Sequence, residues 1–471
     1  MLEIDKVQRL LMACCIASML TACRGQGEVQ AVKSPPTLSP LSGRSMSPPA
    51  GPSGHDITLP ITQKSSEHGL TMEAAVQRAV SWYPSMAEAE GKIYQYDERI
   101  KSAEGGYLPK VNAGLGGGYK NYNDRGWHPQ ASVSATQMLY DFGKVSSAVE
   151  TERAGRNISA AQYLLRMESL GRDVAHAVIE VQRYKSLLDL AEAQIAGVRK
   201  IAELVKQRTD EGATSASDLV QAQARVDQAE ATKLQYQSEY NLWRTTLASL
   251  TGLDNASFAV ADSVPPWLDG ACTVSVPDWN KAPAILEAEA RKQEAEAQLA
   301  ASKAAGLPTV NLEATAGYDL GNSTATSNQG QYSIGVNVSA PLYNGGQTAA
   351  NRRAATHAVK SADAAINAAR LDLQRGLMES RGQIAAMERL IVPLQARVKA
   401  MEKTRDLYRE QYVSLGTRTL LDLLNAEQEL HQARFQIANA KYDTRRLQVG
   451  CLYNSGLLRT KFNLKTPVRQ M

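Results

Sequence analysis

The feature that most restricts how this chain can fold is an internal duplication with a period of roughly 200 residues. Three landmarks recur in the same order. Tyr107-Leu108-Pro109-Lys110-Val111-Asn112 returns as Gly306-Leu307-Pro308-Thr309-Val310-Asn311, and Tyr140-Asp141-Phe142-Gly143-Lys144 returns as Tyr343-Asn344-Gly345-Gly346-Gln347. Gly212 followed by Asp218-Leu219 returns as Gly416 followed by Asp422-Leu423. Each half reads as helix, two strands, a very long helix, a sharp break, then another helix.

The long helices dominate. From about Lys144 to Thr209 no proline intervenes, and Val174, Val178, Val181, Tyr184, Leu188, Ala191, Ile195, Val198, Ala202 and Val205 are spaced mostly by three and four, which predicts a coiled-coil seam. At about 1.5 Å per residue such a helix reaches on the order of 100 Å, beyond any single globular core. The matching stretch from about Gly346 to Tyr412 contains Pro393, where a kink is expected. Aromatic residues make up only 6% of the chain and alanines recur throughout, so the helices pack against one another closely, as a tube or rod.

The strand candidates alternate. Val310, Leu312, Ala314, Ala316 and Tyr318 interleave with polar or small residues, as do Tyr332, Ile334, Val336 and Val338; Val111, Ala113 and Leu115, then Ala131, Val133 and Ala135, repeat this more weakly around Gly116-Gly117-Gly118. Runs of roughly 10 residues match a tilted strand crossing an outer membrane, and tyrosines 107, 119, 140, 318, 332 and 343 fall where interfacial girdles belong. A soluble hairpin with one solvated face gives the same alternation. Four strands cannot close a barrel in lipid, where open edges leave backbone groups unpaired, so a membrane reading requires several copies of the chain. Two copies supply eight strands and three supply twelve; only the larger ring leaves a wide lumen.

At the N-terminus, Lys6 and Arg9 precede an apolar run from Leu10 to Ala22 that is too short to span a bilayer, which predicts an export signal over residues 1–22. Leu20-Thr21-Ala22-Cys23 forms a lipobox, so Cys23 is the expected site of lipidation; an ordinary signal with an incidental cysteine is the alternative. Residues 23–68 are rich in Pro, Ser and Gly and should form an extended tether. Cys272 and Cys451 then remain in an oxidising compartment, which suggests a disulfide over two unrelated buried thiols. A net charge of +4 spread along the chain offers no basic stripe for nucleic acid, and the six scattered histidines form no motif for catalysis or metal binding. No enzyme activity and no cofactor are expected.

The repeat, Leu307-Pro308-Thr309-Val310-Asn311, Tyr140-Asp141-Phe142-Gly143-Lys144, Leu342-Tyr343-Asn344-Gly345-Gly346 and above all Gly416-Thr417-Arg418-Thr419-Leu420-Leu421-Asp422-Leu423-Leu424-Asn425-Ala426 resemble the TolC-type outer-membrane factors, from about Gly69 to Leu457. The resemblance implies an α+β membrane protein: a homotrimer whose twelve-stranded β-barrel, four strands per chain, continues as a long periplasmic α-helical coiled-coil barrel. It implies a passive exit channel opened by a periplasmic adaptor and an inner-membrane ABC or proton-driven transporter. Arg24 after the cysteine points, by the sorting rule for lipoproteins, to the outer membrane. The expected organisation is a first repeat over 69–252 with its hairpin at 107–142, an equatorial linker over 253–280, a second repeat over 281–458 with its hairpin at 307–343, and a tail over 459–471. The family brings Cys272 and Cys451 to the same equator.

By the same resemblance the mouth lies at the turns Asp210-Glu211-Gly212 and Val413-Ser414-Leu415-Gly416. Arg418 would bond the adjacent coil through Ser217 and Asp218, and Asp422 would form an acidic ring in the pore. Asn425 stands where a second acidic ring can occur, and Val413 stands where a tyrosine latch can occur, next to Tyr412; a less cation-selective and more easily opened mouth is therefore expected. Ser215-x-x-Asp218 and Thr419-x-x-Asp422 also read as plain helix starts. The motif around Met138–Lys144 and the Arg418 helix lean toward type I protein secretion, whereas the lipobox leans toward drug or metal efflux. A structural coiled-coil lipoprotein would explain the helices and anchor but not the duplicated strand pairs.

Overall fold

The computed structural model describes residues 69–120, 126–254, 258–273, 277–320 and 330–465. The signal, Cys23 with its tether, and the end of the tail lie outside the described residues. The elements are α1 (Met72–Trp82), α2 (Pro84–Glu104), β1 (Lys110–Lys120), β2 (Gly126–Tyr140), α3 (Lys144–Asp210) and α4 (Ala216–Thr251), then α5 (Pro283–Ala304), β3 (Thr309–Asp319), β4 (Gly330–Ser339), α6 (Gln347–Glu410), α7 (Leu420–Asn454) and α8 (Leu458–Lys461). The long helices α3 and α6 contain 67 and 64 residues, and α6 runs through Pro393 as one helix.

The strands form one antiparallel sheet in the order β1-β2-β3-β4, so each edge, β1 and β4, is unpaired within the protomer. Register makes one face apolar across all four strands: Val111, Ala135, Ala314 and Ile334 share a row, and Ala113, Val133, Ala316 and Tyr332 share the next. This face is bare, with Leu115 84% and Tyr332 88% exposed. The opposite face is polar; the Thr315 and Ser333 hydroxyls lie 2.7 Å apart, and Asn337 Nδ2 donates to Glu313 Oε1 at 3.2 Å.

The duplicated motif at each strand-to-helix junction has a mechanical reason. Asp141 accepts from the backbone N–H groups of Gly143 and Val145, which caps α3, and Asn344 accepts from Thr348 N at 3.4 Å, which caps α6. Gly143 at φ 93° and Gly346 at φ 83° turn the chain through left-handed backbone that other residues adopt at a cost.

Midway down the helices α1, the linker, the end of α7 with α8, and α3 meet in a belt. Its core joins Met72, Val76, Ala79, Val174, Val178 and Val181 with Leu268, Val449, Leu452, Leu458 and Phe462. Gln182 Nε2 donates to Ala261 O at 2.7 Å, Arg459 Nε donates to buried Glu168 at 2.9 Å, and Cys272 is disulfide-bonded to Cys451 with their Cα atoms 5.3 Å apart. Burial pushes the Glu168 carboxyl up to about 7 despite Arg459.

Burial also holds His176 neutral, its pKa lowered to about 4 with help from Arg446 and Arg172. The unfolded chain protonates this imidazole near pH 6.5. The stabilisation is therefore whole above that value and is lost as pH falls toward 4. His176→Gln should flatten the loss of unfolding midpoint between pH 7 and pH 4.5. An identical acid dependence in wild type and variant would remove His176 from the account.

Candidate functional site

The two helical hairpins of the protomer end in turns that share a small core. Val198, Ile201 and Val205 of α3, Ala222 and Val226 of α4, and Leu420, Leu423 and Leu424 of α7 close around Tyr412, which is 6% exposed. The first hairpin turns at Gly212, φ 76°. The second leaves α6 through a π-helical turn, Gln411–Leu415, before Gly416 at φ 63°. A π-turn leaves carbonyls without helical donors and recurs at functional places.

One side chain that sequence reasoning passed over satisfies them. Arg208, in the last turn of α3, donates from Nη1 to the carbonyls of Tyr412 and Val413 at 3.0 Å each and lies 4.9 Å from the Tyr412 ring centroid. A basic residue in the last turn of a long helix was the only signal available, and it is a common one.

Arg418 folds back on its own hairpin. Its Nε donates to Gln411 Oε1 at 3.1 Å, its guanidinium lies 4.5 Å from the Tyr408 ring centroid, and Nη1 is 3.9 Å from Asp422 Oδ2. Within one protomer it is not bonded to Ser217 or Asp218, because those two serve their own turn. Thr214 Oγ1 donates to Asp218, Ser215 Oγ caps the Asp218 N–H at 3.3 Å, and the Ser215 and Ser217 hydroxyls are 2.7 Å apart. The Thr214 hydrogen bond holds the Asp218 carboxyl below its usual range. Asp422 and Thr419 form a reciprocal capping box, so the helix-start reading of both motifs describes their local geometry. Asn425 Oδ1 accepts from Arg225 Nη2 at 3.3 Å, while Arg225 Nη1 donates to Gln428 at 2.6 Å. Where an acidic residue could have stood, an amide ties α4 to α7 instead.

Two turns above, Glu427 and His431 are buried, 3.1 Å apart, with Arg405 of α6 at 3.8 Å from Glu427. Gly197 of α3 backs onto Glu427 so closely that any Cβ there would collide with it. Among the described residues no group of His, Cys, Asp and Glu could hold a metal ion, and no helix is long and apolar enough to cross a membrane.

Comparison with known proteins gives a consistent picture. The family described as "Outer membrane efflux protein" matches residues 75–253 and 280–450. The chain is 26% identical over 370 residues to the outer membrane protein TolC of Vibrio cholerae, covering 74% of this chain and 81% of that protein. It is 27% identical over 345 residues to the alkaline protease secretion protein AprF of Pseudomonas aeruginosa, covering 66% of each. Among solved structures, the outer membrane protein VceC of Vibrio cholerae superposes with a TM-score of 0.70 at 18% identity, covering 82% of this chain and 96% of that one.

Proposed function

Because the chain belongs to the outer membrane efflux protein family, and so is an outer-membrane channel component of tripartite export systems with a large periplasmic portion, we propose that it is a homotrimeric exit duct for a secreted polypeptide, tethered by lipid on Cys23. The observation that carries the duct is the sheet: an apolar face bare on all four strands, ending in two unpaired edges. Only lipid and further copies satisfy both at once. Three copies give twelve strands and enclose a lumen. A periplasmic adaptor and an inner-membrane transporter supply the work, and this chain performs no chemistry.

Cysteines placed singly at Val336 and Asn337 should react oppositely with a water-soluble thiol reagent in cells, Asn337→Cys labelling and Val336→Cys remaining protected. Equal labelling would remove the barrel. The polypeptide cargo is supported by the likeness to AprF, a protease secretion protein, and by the motif around Met138–Lys144. The lipobox supports small-molecule or metal efflux as a second reading. A deletion strain that loses one secreted protein but keeps its resistance to drugs and metals would favour the first, and the reverse outcome would favour the second.

At the mouth, Arg418→Ala should raise single-channel conductance, since it frees the turn from Gln411 and Tyr408; a hydrogen bond to a charged group contributes about 1.5–3 kcal/mol. Asp422→Ala should weaken cation preference instead. If neither variant altered conductance or selectivity in planar bilayers, both residues would be helix caps alone.

A further inference from the structure

Within a protomer the membrane-proximal helices lie in the order α2, α3, α5, α6, so α2 and α6 are the outer members and each has a neighbour on one side only. The chain connects these two helices to the two unpaired edges: α2 leads into β1, and β4 leads into α6. If β4 of one copy pairs with β1 of the next, the free faces of α6 and α2 are brought together. The two free faces differ in character, and the difference is complementary.

On α6 the half-buried positions 355, 359, 362, 366, 369 and 373 mark the seam with α5. At about 100° per residue the opposite side carries Arg353, His357, Lys360 and Ala364. No acidic residue occurs between Gln347 and Ala362, and neither Arg353 nor Lys360 has an ion pair among the described residues. On α2, Met86 and Ile93 face α3, and the side opposite carries Glu88, Gly91, Gln95, Glu98 and Ser102. Among the described residues Glu98 is paired with exposed Lys101, one turn along. Gly91 lies inside a helix, where glycine costs about 1 kcal/mol relative to alanine, and a Cβ there would meet nothing within 4 Å among the described residues. Interior glycines 155, 171, 197 and 376 each have a side chain of their own chain pressed against them, whereas Gly382 of α6 is open like Gly91. Gly91 has the cost without the contact.

Contacts across the row fix the levels. Tyr96 lies against Gly155, Arg156 pairs with Asp97, Asn157 bonds Gln293, and Lys292 pairs with Asp363. Carried from helix to helix, they set Lys360 level with about residues 96–97 of α2 and Ala364 level with about residues 92–93. The cation thus meets the turn that holds Glu98, and the alanine meets the glycine.

We infer that neighbouring copies join below the membrane along an α6–α2 seam, in which Lys360 of one copy pairs with Glu98 of the next and Ala364 packs on Gly91. This rests on the assembly proposed above and adds to it which helix faces meet and at what register. Such a seam selects identical partners through charge placement as well as through strand pairing.

The test is oxidative cross-linking in outer membranes of full-length protein carrying Gly91→Cys with Ala364→Cys, and separately Gln95→Cys with Lys360→Cys. Two helices separate the paired positions within one copy, so any bond joins two chains. A non-reducing denaturing gel should show covalent dimers and trimers for either pair and monomer for each single cysteine. Lys360→Glu and Glu98→Lys should each lower the temperature at which the assembly dissociates, and the double exchange should restore it. Assemblies of normal mass that cross-link at neither pair, or a double exchange no better than its parents, would overturn the seam while leaving the duct standing. Protein of single-chain mass would overturn both.

Discussion

Cys451→Ala is expected to lower the stability of the periplasmic belt by about 5 kcal/mol, the value that the chain-entropy account gives for a cross-link closing a loop as long as the 179-residue separation between Cys272 and Cys451. Alanine suits the site because Cys451 is fully buried beside Leu377 and Ile384 and a polar replacement would add its own penalty. The figure is an upper one, since structure retained in the unfolded chain reduces the entropy that the cross-link removes. Cys272→Ala and reduction of the wild type should reproduce the effect. Limited proteolysis would report it as faster cutting within residues 253–280, with the strand region still protected. Equal cutting in wild type and all three altered forms would mean that helix packing alone holds the linker.

Leu423→Ala should cost about 2–5 kcal/mol, because Leu423 is wholly buried where Tyr412, Leu420 and Leu424 meet α3 and α4, and the tip has no second layer to collapse into the gap. The loss is local: the belt should keep its protease resistance while the mouth opens more readily, seen as higher resting conductance. Unchanged conductance with lowered stability would place the closing contacts between copies and not in this core. Leu421, two residues earlier and 45% exposed, is the matching control.

Much of the architecture was legible in the sequence because repetition and periodicity are properties of sequence itself. The extent of α3 follows from spacing and from the absence of proline, the four strands follow from alternation, and the two turns follow from the positive φ that Gly212 and Gly416 supply, whereas α6 continues through Pro393, where the sequence suggested a kink. The mouth was less legible. Arg208 and Arg225 act on residues about 200 positions away, and no local pattern distinguishes them from other surface arginines. Within one protomer Arg418 donates to Gln411 of its own hairpin, and the bond to Ser217 and Asp218 that family likeness suggests joins neighbouring coils, outside a single copy. The buried pair Glu427 and His431 looked like ordinary helix-surface residues, since only the glycine at 197 makes room for them.

The belt has a mechanical meaning. It grips α3 near Gln182, and the helix then runs without interruption to Asp210, a reach of about 40 Å at 1.5 Å per residue. On the other side, the span from Glu168 back to Lys144 is about 35 Å. A stiff rod held near its middle is a lever with nearly equal arms. Tilting it by about 5° swings the lower end by some 3–4 Å and, unless the belt clamps the rod so that the lower arm bends alone, drives the upper end by a similar amount in the opposite direction. Buried ion pairs, a disulfide and a packed core at the pivot are what such a device requires if the mouth is to open while the strands above stay sealed in lipid. A softened fulcrum would let each opening stroke pull on the barrel.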